Sequence, residues 1–149
     1  MAVFLLTGQP GSGKTTIGKR LQFWLQTDKK NWRKSVFHID GDDLRKVFPN
    51  DDYSKVGREQ NMELAFNTAK YLNSCGNDVV ISLVAPYREL RDKFKADCKV
   101  QEIYCHTKRN RGKESFFAMD YETPQSFFID LDTSESIDET FGKLMKLIV

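Results

Sequence analysis

The chain has 149 residues and a net charge of +2, from 23 lysines and arginines against 21 aspartates and glutamates. So small a positive excess argues against nucleic acid or an anionic membrane as the main partner. Hydrophobic residues make up 40% and charged residues 30% of the chain, as in an ordinary globular domain, and no apolar run approaches the roughly 20 residues of a membrane span. We therefore expect one domain over residues 1–149, located in the cytosol.

Strand-like and helix-like patterns alternate along the chain. The phosphate-binding motif described below follows the first strand and precedes a helix whose apolar face includes Ile17 and Leu21. Further helices are predicted over about 58–75 and 87–95 and after a capping box that starts at Ser136. This order predicts an α/β fold of the P-loop NTPase type, a parallel five-stranded sheet with helices on both faces. The predicted strands are 2–6, 35–39, 78–84, 100–105 and 126–131, with a basic loop at 29–34 and a polar stretch at 42–57.

Residues 8–15 read GQPGSGKT and match G-x-x-x-x-G-K-[ST] at every fixed position. In this setting backbone N–H groups and the helix N-terminus bind phosphate oxygens, Lys14 bridges the β- and γ-phosphates, and the Thr15 hydroxyl binds Mg²⁺. A chance glycine turn is the alternative, which the complete motif disfavours. The predicted cofactors are ATP and Mg²⁺. The predicted ATP-binding residues are Gly8, Gly11, Ser12, Gly13, Lys14, Thr15 and Thr16.

Two acidic residues, Asp40 and Asp42, follow the second predicted strand. Because ligands gather at the carboxyl ends of parallel strands, we expect both acids near the γ-phosphate. One carboxylate would accept the proton of an attacking hydroxyl, and the other would hold Mg²⁺ through water. The alternative is an Asp-Gly turn with a purely local role. The predicted catalytic residues are Lys14, Asp40 and Asp42, and the predicted metal ligands are Thr15 and Asp40.

Four segments resemble motifs of the adenylylsulfate kinase (APS kinase) family. Residues 40–45 (DGDDLR) are similar to its D-G-D-N-x-R, and residues 53–61 (YSKVGREQN) are similar to F-S-x-x-D-R-x-E-N. Residues 85–92 (APYRELRD) are similar to S-P-Y-R-x-x-R-D. Residues 116–124 (FFAMDYETP) resemble F-T-G-I-D-x-x-Y-E-x-P with a two-residue gap. The motifs occur in the family's order over most of the chain.

The resemblance implies a kinase that transfers the γ-phosphate of ATP to the 3′-hydroxyl of adenylylsulfate, a small nucleotide acceptor. It makes Asp40 the first candidate for the general base and Asp42 the second. Family members commonly form homodimers, but the sequence identifies no interface. The implied acceptor-binding residues are Arg45, Arg58 and Asn61, the pocket-floor residues Pro86, Tyr87 and Arg88, and Phe116, which would stack on the acceptor base.

The departures from the family lie on the acceptor side. Gly57 and Gln60 stand where the family has an aspartate and a glutamate, and Ala85 replaces a serine. The lid, at about 106–124, is short; its basic residues would cover the phosphates on closure or form only a solvated loop. These changes fit a divergent adenylylsulfate kinase, or a sister kinase with another acceptor such as a cytidine diphosphoramidate. A non-catalytic nucleotide-binding module is the third reading, which the intact Lys14 and acids disfavour.

Several side chains have purely structural alternatives. Arg88 and Arg91 would form a solvated helix face, Tyr53 would serve only in packing, and Phe116 with Phe117 would anchor a loop. The three cysteines are odd in number and lack a C-x-x-C spacing, which predicts reduced, partly buried thiols.

Overall fold

The structure is a computed structural model that describes residues 2–27 and 35–148, so the basic loop predicted at 29–34 lies outside the described residues. The strands are β1 Val3–Thr7, β2 Val36–Asp40, β3 Asp78–Ser82, β4 Val100–His106 and β5 Phe128–Asp132. They form one sheet in the order β2-β3-β1-β4-β5, and every neighbouring pair is parallel. The predicted five-stranded parallel sheet is confirmed.

The helices are α1 Lys14–Thr27, α2 Gly41–Val47, α3 Lys55–Ser74, α4 Arg88–Asp97 and α5 Ile137–Ile148. Helix α2 overlaps the stretch predicted as polar, in which Leu44, Val47 and Phe48 form a short amphipathic pattern. Helix α3 begins at Lys55 rather than near residue 58, because the Ser54 hydroxyl caps it by accepting a hydrogen bond from the Gly57 N–H at 3.4 Å. The capping box predicted for α5 is present: the Glu139 N–H donates to Ser136 Oγ at 3.2 Å.

The sheet separates two hydrophobic cores. The central strands β1 and β3 are buried along their whole length, as strands covered on both faces must be. One core lies against α3 and α4 and includes Leu5, Ile81, Met62, Phe66 and Phe94. The other lies against α1 and α5 and includes Leu6, Ile17, Leu21, Ile103 and Leu144.

The short β1–α1 connection brings the phosphate-binding motif to the carboxyl edge of the sheet. Helix α1 packs closely on β3 there, since a Cβ at Gly18 would lie 2.3 Å from Ser82 Oγ. None of the helices described has both the length and the apolar composition needed to cross a membrane.

Candidate active site

A cleft of about 1040 Å³ opens at the carboxyl edge of the sheet. Its walls come from the phosphate loop, the start of α2, the start of α3, the segment after β3, and the segment after β4. Gly8 and Ser12 are buried in the loop behind it. Tyr87 and Arg88 are not among the lining residues. The predicted site residues that line the cleft are Gly11, Gly13, Lys14, Thr15, Thr16, Asp40, Asp42, Arg45, Arg58, Asn61, Pro86 and Phe116.

The phosphate loop has the curled backbone that its glycines predict. Gly13 has φ +89°, a left-handed conformation that favours glycine. A Cβ at Gly8 would lie 2.2 Å from the Cys105 carbonyl oxygen, so only glycine allows the loop to approach β4 this closely. The Ser12 N–H closes the turn by donating to the Gln9 carbonyl at 3.2 Å.

Lys14 is the cation at the inner side of this loop. Its Nζ donates to the Gln9 carbonyl oxygen at 2.9 Å, and only 8% of the residue is exposed. Burial lowers the pKa of Lys14 to about 8, although the charges of Asp42 and Asp40 oppose the shift. A buried ammonium of this kind has a strong electrostatic preference for an anionic ligand.

The two acids of the DGD motif have different surroundings. Asp40 caps α2: its Oδ1 accepts from the N–H groups of Asp42 at 3.0 Å and Asp43 at 3.4 Å. Its Oδ2 accepts from the Thr15 hydroxyl at 2.6 Å. Asp42, in the first turn of α2, is exposed to the cleft, and its carboxylate has no hydrogen-bond partner among the described residues.

Thr15 and Asp40 together present hard oxygen atoms of the type that Mg²⁺ prefers. The described residues contain no cluster of three or more His, Cys, Asp or Glu suited to a metal. Mg²⁺ does not require one, because it commonly takes one or two protein oxygens together with water and substrate phosphates. The pair therefore fits Mg²⁺ bound with a nucleotide.

Two arginines and a tyrosine form one wall of the cleft. Arg45 Cζ lies 4.1 Å and Arg58 Cζ lies 5.8 Å from the centroid of the Tyr53 ring. Arg58 Nε also donates to the Tyr53 carbonyl at 2.9 Å, and Arg45 Nη1 donates to the carbonyls of Asn50 and Asp52. Because Tyr53 as a residue is 60% exposed and its ring lies beside the two guanidinium groups, it does not act as a core residue.

A steric restriction explains why position 57 is a glycine. It lies buried in the first turn of α3, and a Cβ there would be 2.1 Å from the Asp52 carbonyl oxygen. The aspartate found in the family would collide with this loop. The departure therefore lets the loop that carries Tyr53 pack onto α3, a function that the sequence pattern did not reveal.

The segment predicted as the lid contacts the phosphate loop directly. We name residues 111–118 the strap. At one end Arg111 Nη1 donates to the Gly11 carbonyl at 3.0 Å and Nη2 to the Thr133 carbonyl at 2.6 Å. At the other end Ala118 is hydrogen-bonded to the side chain of Gln9. Sequence reasoning missed Arg111 and Gln9 as individual residues, because neither stands at a fixed motif position and their partners are distant in the chain.

Phe116, within the strap, lines the cleft, and 64% of the residue is exposed. The alternative that it anchors a loop in the core is therefore wrong. Phe117, its neighbour, is half-buried and also lines the cleft.

Residues 87–91 of the APYRELR segment lie outside the cleft. Tyr87 is buried, and its hydroxyl has no hydrogen-bond partner among the described residues. Arg88 Nε donates to the Thr123 carbonyl at 2.9 Å, so Arg88 contacts the segment predicted as the lid rather than the pocket floor. Arg91 is fully buried and pairs with Glu102 at 2.8 Å, which shows that a solvated face was the wrong interpretation for Arg91.

The described cysteines are free thiols: Cys75 is exposed, Cys98 is half-buried and Cys105 is buried. Burial raises the pKa of Cys105 to about 12, so this thiol remains protonated at neutral pH.

A glycine-rich loop joins the first strand of the parallel sheet to the first helix, and a buried lysine and an Asp–Thr pair lie beside this loop. This arrangement defines a P-loop NTPase-type fold with a phosphate-binding site. A family model described as adenylylsulphate kinase matches residues 1–115. The chain belongs to the adenylylsulfate kinase family.

Two relatives of the chain have names that state different acceptors. The chain is 34% identical to the cytidine diphosphoramidate kinase of Campylobacter jejuni over 103 residues, which cover 68% of this chain and 58% of that protein. It is 31% identical to the adenylyl-sulfate kinase of Pseudomonas aeruginosa over an alignment of 170 residues, covering 99% of this chain and 85% of that protein. The match thus spans less than two thirds of the Campylobacter protein.

A solved structure has the same fold. The Mycobacterium tuberculosis APS kinase, in complex with AMPPNP and APS, superposes with a TM-score of 0.79 at 24% identity. The superposition covers 99% of this chain and 96% of that one.

Proposed function

We propose that this protein is a single-domain kinase, with residues 106–124 as its lid, that transfers the γ-phosphate of ATP to a hydroxyl group of a small nucleotide. Adenylylsulfate, phosphorylated at its 3′-hydroxyl, is the first candidate acceptor. The observation that carries this proposal is the single cleft that holds Lys14 and the Thr15–Asp40 pair at one end and Arg45, Arg58 and Phe116 in its other walls. Membership of the adenylylsulfate kinase family supports the reaction type.

The phosphate loop would bind the triphosphate of ATP. Its backbone N–H groups and the N-terminus of α1 attract anionic oxygens, and Lys14 would exchange its bond to the Gln9 carbonyl for bonds to the β- and γ-phosphates. Thr15 and Asp40 would hold Mg²⁺, which neutralises charge on the phosphates when bound.

Asp42 is a better candidate than Asp40 for the general base. Both carboxylate oxygens of Asp40 already accept hydrogen bonds, from Thr15 and from the first turn of α2. Asp42 faces the same cleft with a carboxylate that is free among the described groups. In the proposed reaction the acceptor O–H gives its proton to Asp42, its oxygen bonds to the γ-phosphorus, and ADP leaves. The order of preference expected from the family resemblance is thereby reversed.

The wall of the cleft formed by Arg45, Arg58 and Tyr53 would bind the acceptor. Arg45 and Arg58 carry permanent charge and planar donor groups that match phosphate and sulfate oxygens. Asn61 is 95% buried beside them and offers an amide for polar contact. Phe116 would stack on the acceptor base. Tyr87 and Arg88, which lie outside the cleft, would act only through the loops that they support.

Cytidine diphosphoramidate is the second candidate acceptor, because the Campylobacter jejuni kinase of that name is 34% identical to this chain. It is also a nucleotide with a substituted diphosphate-like end, so the same two arginines and the same aromatic ring suit it. The three free thiols are compatible with the reducing cytosol, which we propose as the compartment.

The test is ADP release from ATP and Mg²⁺ with adenylylsulfate, with cytidine diphosphoramidate, and with neither. Stimulation by one acceptor alone would identify it. Lys14→Ala should abolish turnover. Asp42→Asn should reduce kcat by roughly a hundredfold or more while ATP still binds, in line with the usual contribution of a general base. Full turnover in Asp42→Asn would refute the base assignment, and nucleotide binding without stimulation by any nucleotide acceptor would contradict the kinase proposal.

A further inference from the structure

The strap is attached to the body of the protein near both of its ends. Arg111 holds one end on the Gly11 and Thr133 carbonyls. Ala118, only 3% exposed, marks the other end. Between them lies a single turn of 3₁₀ helix, Glu114–Phe116, whose residues are exposed. The position of Phe116 therefore depends on how firmly these ends are held.

Gln9 holds the Ala118 end through both atoms of its carboxamide. Its Nε2 donates to the Ala118 carbonyl at 2.8 Å, and the Ala118 N–H donates to Gln9 Oε1 at 2.8 Å. This paired geometry mimics a backbone-to-backbone connection and satisfies both polar groups of a buried residue. We call this pair of hydrogen bonds between Gln9 and Ala118 the clip. Phe116 lies two residues before Ala118 in the chain.

The backbone of the same glutamine belongs to the phosphate site. The Gln9 carbonyl accepts the bond from Lys14 Nζ and also the bond from the Ser12 N–H. One residue thus contacts the lysine of the phosphate loop through its main chain and the acceptor-side strap through its side chain.

We propose that Gln9 is a positioning residue that fixes the strap on the phosphate loop and so places the Phe116 ring in the cleft for the acceptor base. The inference rests on the proposed function for its catalytic consequence, but the clip itself is a physical property of the protein. Gln9 is not among the residues that line the cleft, so it acts through Phe116 rather than by contact with a substrate.

The physical test places an indole in the strap. In a full-length Phe116→Trp protein whose other tryptophans, Trp24 and Trp32, are replaced by phenylalanine, the fluorescence anisotropy of the indole reports the mobility of the strap. Adding Gln9→Ala should lower this anisotropy and increase quenching by acrylamide. The matched control is Gln22→Ala, which removes a similar side-chain bond, from Nε2 to the Val36 carbonyl at 3.0 Å, away from the strap. Unchanged anisotropy in Gln9→Ala would overturn the proposal.

The kinetic test uses the enzyme with its natural Phe116. Gln9→Ala should raise the acceptor KM roughly tenfold, the effect of losing two neutral hydrogen bonds, and leave affinity for AMPPNP within about twofold. In the Phe116→Ala background the same substitution should have little further effect on acceptor KM, because Gln9 acts through the Phe116 ring, which that variant lacks. Additive effects of the two substitutions, or equal losses for nucleotide and acceptor, would refute the role of Gln9.

The two proposals fail in different ways. If no nucleotide acceptor supports turnover, the proposed function is contradicted, while the anisotropy comparison still decides whether Gln9 holds the strap.

Discussion

Replacing Arg91 should destabilise the protein far more than replacing an exposed cation. Arg91 and Glu102 are 0% and 1% exposed, with Arg91 Nε 2.8 Å from Glu102 Oε2. Arg91 also donates to the Ala85 carbonyl at 2.6 Å and to the Glu122 carbonyl. The guanidinium therefore connects α4, β4, the segment after β3 and the segment predicted as the lid, and two of its acceptors belong to the buried residues Glu102 and Ala85.

The magnitude follows from this burial. Removal of one partner of a buried pair costs about 3–5 kcal/mol, because the other charge is left unpaired. Lys95 Nζ, 2.7 Å from Glu102 Oε1, compensates part of this charge, so we expect about 3 kcal/mol for Arg91→Met. For a domain of this length such a loss lowers the melting temperature by roughly 6–12 °C.

The assay is equilibrium unfolding in urea, with circular dichroism as the probe. Lys70→Ala is the control, because its pair with Asp97 is at the surface, with side chains 35% and 41% exposed, and should change the free energy of unfolding by less than about 1 kcal/mol. The double variant Arg91→Met/Glu102→Leu should recover part of the loss, because no uncompensated carboxylate remains. A change for Arg91→Met as small as that for Lys70→Ala would refute the buried-charge reasoning.

Three further predictions concern the site. Gly57→Ala should lower the free energy of unfolding, measured in urea, by about 1–3 kcal/mol, because the added methyl group meets the Asp52 carbonyl. The control Gly142→Ala has open space around it and should be neutral or stabilising. Equal effects of the two substitutions would contradict the steric argument. Because burial lowers the pKa of Lys14 to about 8, Lys14 loses its charge as pH rises through that value, and ATP binding must then restore the proton. Calorimetry in buffers of different ionisation enthalpy at about pH 8.5 should show uptake of roughly three quarters of a proton, and no uptake would place the Lys14 pKa elsewhere. Phe116→Ala should raise acceptor KM and leave ATP affinity within about twofold; equal weakening of both would make Phe116 a packing residue.

The sequence alone determined the class of fold and the phosphate loop, because both depend on local chemistry. Apolar runs and 3.6-residue periods predicted five strands and the helices between them, and the structure confirms the parallel sheet. Glycines at positions 8 and 13 have the close approach and positive φ that the motif requires. Asp40 at the end of β2 and Asp42 just after it line the cleft because strand ends meet at one edge of a parallel sheet.

Tertiary structure decided which residues act on one another across the chain. The strand order β2-β3-β1-β4-β5 sets the segment after β4 beside the loop after β1, and only then does Gln9 meet Ala118, 109 positions away. Arg91 has the pattern of an exposed helical residue, yet α4 turns it onto Glu102 of β4. Side-chain periodicity records which face of an element is apolar, but it contains no information on which polar groups of distant elements become partners. That depends on how the packed elements are arranged in space. It is why the clip at Gln9, the steric reason for Gly57 and the proposal of Asp42 as base came only from the folded structure.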